Sequence, residues 1–140
     1  MLKKILSVRP QSFPINLSLF ILRLSAGILM IPHGYSKLIH FTEKQNSFET
    51  FLGINSSVSL VLTIGAEFFC SLLLSLGFMT RIVLVPLIIT MLVAEFKTMN
   101  GAVFGDGQLA FMYLVIYAVL FISGPGKLSI DNYLFKNNLG

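Results

Sequence analysis

Long apolar runs alternate with short polar breaks along the whole chain. Hydrophobic residues dominate about 16–39, 57–78, 81–98 and 107–124. Each run approaches the roughly 20 residues that a helix needs to cross a bilayer. The pattern therefore predicts four membrane-spanning helices, with residues 1–140 forming a single integral membrane domain. The first break is HFTEKQNSFETFLGINS, residues 40–56, where Phe48, Phe51 and Leu52 are placed to form a short interfacial turn of helix. Residues 77–81 read as a tight turn and TMNGAVFGDG, residues 98–107, as a glycine-rich loop. Gly124, Pro125 and Gly126 stop the last helix. Short connections make sequential helices antiparallel neighbours, so the expected fold is all-α, a transmembrane up-down four-helix bundle.

The polar residues inside these runs sharpen the picture. At about 100° per residue, Arg23, Gly27, Met30, Gly34 and Lys37 fall on one stripe of the first helix, with His33 on its shoulder. An arginine near the bilayer centre costs about 2.5–3.5 kcal/mol on insertion scales, so this stripe needs partners. The second run supplies Glu67, with Thr63, Cys70, Ser71 and Leu74 on its face. The third supplies Glu95, above Met91, Ile88, Leu84 and Arg81 at helical spacing. The fourth carries Gln108 at its start and Tyr113 and Tyr117 further in. A rise of about 1.5 Å per residue sets the depths. Glu67 lies near mid-membrane within reach of a long arginine, which predicts a buried structural ion pair between Arg23 and Glu67. His33, Lys37 and Glu95 fall in the outer third, where Lys37 is placed to meet Glu95. Together His33, Lys37, Glu67 and Glu95 are the candidate ligand-binding residues of an outward-opening polar cavity with its floor near Glu67. Arg23 and Lys37 have the same spacing as Arg81 and Glu95, a weak sign of two related helical hairpins.

Composition supports the membrane reading. The chain is 55% hydrophobic and 11% charged, where a soluble domain carries about 25% charged residues. The formal net charge of +4 comes from dispersed lysines and arginines, which argues against a nucleic-acid partner. Lys3, Lys4, Arg9, Arg81, Lys127 and Lys136 fall on one side of the predicted spans. Lys44 and Lys97 fall on the other, beside Glu43, Glu49 and Asp106. This asymmetry places both termini in the cytoplasm. The basic start resembles a signal peptide. The apolar run behind it is too long, contains Arg23 and lacks a small-x-small cleavage site, so it reads as a retained first span. One cysteine, Cys70, excludes an internal disulfide and a CxxC pair. His33 and His40 are the histidines present, and no spacing suggests a metal site. Haem-ligand pairs, iron–sulfur cysteines and flavin motifs are likewise missing from the sequence.

Several short motifs, taken in order, resemble the DoxX-like membrane proteins. They are Arg23, HGYSKL at residues 33–38, Glu67, GFMTR at 77–81 and GPGKLSID at 124–131. The likeness runs from about Leu22 to Asp131. It implies a small four-helix, multi-pass protein of the bacterial inner (plasma) membrane. Some members of that family are subunits of a thiosulfate:quinone oxidoreductase. Others act in membrane complexes handling oxidative stress, and distant relatives include redox proteins and membrane chaperones. Two positions depart from the family pattern. Lys97 stands near where a histidine is common, and Gln108 where a glutamate is common. The expected function is a membrane subunit of a redox complex, binding a quinone or similar amphiphile and depending on a redox or other membrane-associated partner for electrons. A non-enzymatic scaffold or chaperone for a partner membrane protein is the alternative. A small-molecule transporter, with a homo-oligomer enlarging its pore, is the third reading.

Overall fold

A computed structural model of the chain describes residues 12–50 and 53–135. Lys3, Lys4, Arg9, Phe51, Leu52 and Lys136 lie outside the described residues. Those described are helical or irregular, with no strand among them. Helix α1 spans Phe13–Ile39 and carries Pro14 in its first turn, where its missing N–H needs no partner. The short helix α2 covers Phe41–Lys44. Phe48 itself sits in a bend after α2, and the other two residues of the expected interfacial turn lie outside the described residues. Helix α3 spans Ser56–Leu76, with Asn55 capping its first turn through a side-chain bond from the Ser57 N–H. Helix α4, residues 80–98, continues from Thr80–Val93 into a wider π-helical turn, Ala94–Thr98. Helix α5 covers Gln108–Ser123, and α6 covers Ile130–Phe135.

Helix α1 packs along α3, α4 packs along α5, and α3 also meets α4. Between them lies a core of Leu19, Met30, Leu74, Leu84, Leu87, Tyr117 and Leu120. The α1–α3 approach depends on glycine. A Cβ on Gly34 would sit 2.7 Å from the carbonyl carbon of Glu67, and one on Gly27 would sit 2.9 Å from the Ser71 carbonyl oxygen. Any side chain at these positions would wedge the two backbones apart. The glycines bring the Arg23–Lys37 stripe against α3, so the stripe read from helical periodicity faces the interior.

The solvent-facing pattern is inverted relative to a soluble protein. Ile28, Leu29, Val61, Phe69, Val85, Val115 and Ile122 are exposed along the long helices, whereas Arg23, Glu67, Glu95 and Asp131 are buried. Water does not favour that arrangement, but lipid does. By length and apolar composition, Phe13–Ile39 and Ser56–Leu76 each suffice to cross a membrane, and Gln108–Ser123 is a shorter apolar helix.

Candidate functional site

The buried polar groups gather at two ends of the helices. At the first end, Arg23 is 1% exposed. Its Nη1 donates to the Pro125 carbonyl at 3.2 Å and its Nη2 to the Leu128 carbonyl at 2.7 Å. The guanidinium also lies over the Phe20 ring, 5.6 Å from its centroid. The expected Arg23–Glu67 ion pair does not form. The tail folds back to give Arg23 carbonyl acceptors and the negative charge of Asp131, while Glu67 pairs with Lys37.

Asp131 completes this end. Its carboxylate accepts from the Met79 N–H at 2.7 Å and the Thr80 N–H at 2.9 Å. It thereby caps the N-terminus of α4, where free N–H groups and the helix dipole both favour an anion. The turn it grips is tight: Gly77 and Met79 adopt left-handed backbone, with φ of 72° and 50°. Gly77 takes that conformation freely and leaves room for the Arg23 guanidinium, which a Cβ there would strike. Asn16 holds the tail from α1, its Oδ1 accepting from the Lys127 N–H at 2.7 Å. Arg81 Nε donates to the Phe121 carbonyl at 3.2 Å. Asn16 and Asp131 were not legible as partners in the sequence. The hint was an Asp closing the GPGKLSID segment, but nothing local says which helix it caps.

At the second end, Lys37 on α1 forms an ion pair with Glu67 on α3. Glu67 is buried while the Lys37 side chain is 22% exposed. Glu67 belongs to a π-helical turn, Gly65–Cys70, and Glu95 to the one at Ala94–Thr98. Such turns insert a residue into the helical repeat, re-aim the side chains around them, and recur at functional sites. The pairing of Lys37 with Glu95 is not formed. Glu95 turns toward α5 instead, where its carboxylate packs on Gly107 with both oxygens buried and without a hydrogen-bond partner. Lys97 donates to the Thr50 carbonyl and so ties the segment after α1 to the end of α4.

A cavity of about 450 Å³ lies beside the Lys37–Glu67 pair, between α3, α4 and the segment after α2. Phe48, Leu62, Pro86, Ile89 and Val93 give it largely apolar walls. Lys37, Glu49, Ser59, Thr63, Glu67, Thr90 and Thr98 are its polar lining residues. His33 and Glu95 are not on its wall. His33 is exposed on another face of α1, with its ring edge-on to Tyr113 at 6.4 Å between centroids. Of the residues grouped from the sequence, the fold brings Lys37 and Glu67 to one cavity and leaves His33 and Glu95 apart from it. Phe48, Glu49, Pro86 and Thr90 join the cavity unannounced: Pro86 and Thr90 are ordinary residues of an apolar run, and Phe48 and Glu49 come from a connection whose path no local pattern marks.

The family model for DoxX matches residues 18–100. The chain belongs to the DoxX family. That membership agrees with the inverted exposure of the helices, and together they make this a membrane protein in contact with the lipid bilayer. Comparisons with curated proteins and with solved structures give no match. The matched stretch contains Arg23, His33, Lys37, Glu67, Arg81 and Glu95. It stops short of the tail that holds Arg23.

Proposed function

We propose that this DoxX-family chain is the membrane subunit of a redox complex and holds a quinone-type amphiphile in the α3–α4 cavity. One observation carries the reading: a largely apolar cavity of about 450 Å³ beside a buried Lys37–Glu67 pair. That volume falls within the roughly 300–1,000 Å³ of small-molecule sites, and apolar walls with few polar groups are their usual lining. Leu62, Ile89 and Val93 exclude water from a ring or prenyl chain. Lys37 has ammonium hydrogens beyond the one on Glu67 and donates to a ring oxygen. Glu67 holds a carboxylate beside the same oxygen, where it accepts or returns a proton. A quinone-type head, when bound, takes up and releases electrons together with protons. Electrons come from a protein partner, since the sequence carries no redox centre of its own.

In this reading the four long helices cross the bacterial inner membrane as an up-down bundle, with both termini cytoplasmic. The docking of the tail on the α3–α4 turn and the link from Lys97 to Thr50 favour the up-down order of the helices, and the cation asymmetry favours cytoplasmic termini. Asn46→Cys in a Cys70→Ala background should react with a membrane-impermeant maleimide from the periplasmic side. Labelling from the cytoplasmic side alone would reverse the topology.

Ligand retention tests the site. Protein purified in mild detergent should carry about one quinone, counted in both redox forms, per chain in its extracted lipid. Lys37→Met, assayed on the folded fraction, should lose most of it. Wild-type extract without quinone, or unchanged retention in the variant, would refute the assignment.

A further inference from the structure

The hydrogen-bonding balance of the cavity wall selects between the two redox forms of such a head group. The Thr63 hydroxyl donates to the Ser59 carbonyl at 2.9 Å. The Thr90 hydroxyl donates to the Pro86 carbonyl at 2.8 Å. Each hydroxyl hydrogen is thereby spent on its own helix, and the oxygen keeps lone pairs for a ligand. The carboxylates of Glu49 and Glu67 accept as well. Against these acceptors the wall sets two donors: the Lys37 ammonium, one of whose hydrogens is already on Glu67, and the Thr98 hydroxyl.

A quinone has carbonyl oxygens and no donor. In this cavity its oxygens have Lys37 and Thr98 to accept from, and the oxygens of Thr63, Thr90, Glu49 and Glu67 find no hydrogen on it. A quinol has the same ring with two O–H groups, which meet the acceptors that the wall offers. We infer that the cavity is a quinol site: it binds the reduced, hydroxyl-bearing head in preference to the oxidised one. This rests on the amphiphile reading above and adds the redox form of the ligand to it. A cavity of this kind either retains the product of quinone reduction or receives quinol for a partner that oxidises it.

The test is direct binding, with no turnover required. Wild-type protein in lipid nanodiscs is titrated anaerobically, by calorimetry, with a short-chain ubiquinone and with its chemically reduced ubiquinol. The quinol should bind at least about tenfold more tightly, which corresponds to a rise of about 30 mV in the midpoint potential of the bound two-electron couple. Thr63→Val and Thr90→Val keep the shape of the wall and remove an acceptor each. Each should lower quinol affinity about fivefold, the worth of one hydrogen bond, and leave quinone affinity unchanged. Equal binding of the two forms, or tighter binding of the quinone, overturns the inference and leaves the amphiphile site standing. Equal losses for both forms in the valine variants also overturn it. Binding of neither form by the wild-type protein removes the amphiphile reading and this inference together.

Discussion

Lys37→Met should destabilise the protein by about 3–5 kcal/mol, the usual cost of stranding one charge of a buried pair. Glu67 is 6% exposed at its side chain, and losing the ammonium leaves its carboxylate on a largely apolar wall without its ion-pair partner. Glu67→Gln should cost less, about 1–3 kcal/mol, because the Lys37 side chain is 22% exposed and can turn its ammonium outward. The double variant should recover part of the Lys37→Met loss, since it leaves no charge to strand. Reversible unfolding in detergent micelles measures all three. Losses that simply add would mean that the two side chains do not interact. The asymmetry between the single variants is a separate check, because it follows from which partner is deeper and not from the pairing itself.

Arg23→Met should be comparably damaging, by about 3 kcal/mol or more, through a different set of groups. It leaves the Pro125 and Leu128 carbonyls without their donor and removes a cation that interacts with Asp131. Asp131→Ala should produce a related loss by uncapping the Met79 and Thr80 N–H groups. Both variants should release the tail, so that limited proteolysis cuts between Gly124 and Ile130 far sooner than in the wild-type protein. Arg23→Met and Asp131→Ala should couple by more than about 1 kcal/mol in a double-mutant cycle. Arg23→Met combined with Glu67→Gln should be additive, because those residues belong to opposite ends of the helices. Strong Arg23–Glu67 coupling together with an undisturbed tail would contradict this geometry.

Periodicity alone determined a good deal. Hydrophobic run length located the long helices, because a lipid-facing helix must be apolar over most of its length whatever it packs against. Helical spacing put Arg23, Gly27, Met30, Gly34 and Lys37 on one stripe, and that stripe faces the interior. The order of the short motifs points to the DoxX family without reference to the fold. Each of these is a local property: one residue's position relative to others a few turns away on the same helix.

Pairing between helices was decided by tertiary structure. Depth in the membrane predicted Arg23 with Glu67 and Lys37 with Glu95, yet Arg23 reaches a tail carbonyl 105 residues away and Lys37 takes Glu67. Two physical causes account for the exchange. Depth treats each helix as regular, whereas the π-helical turns at Gly65–Cys70 and Ala94–Thr98 rotate both glutamates relative to a regular helix. It also weighs charge against charge, whereas a guanidinium is satisfied equally well by backbone carbonyls, which every segment carries and no sequence pattern marks. The cavity shows the same limit. Its polar end was legible in Lys37 and Glu67, but its walls are ordinary apolar residues, brought together only by the way α3 and α4 pack.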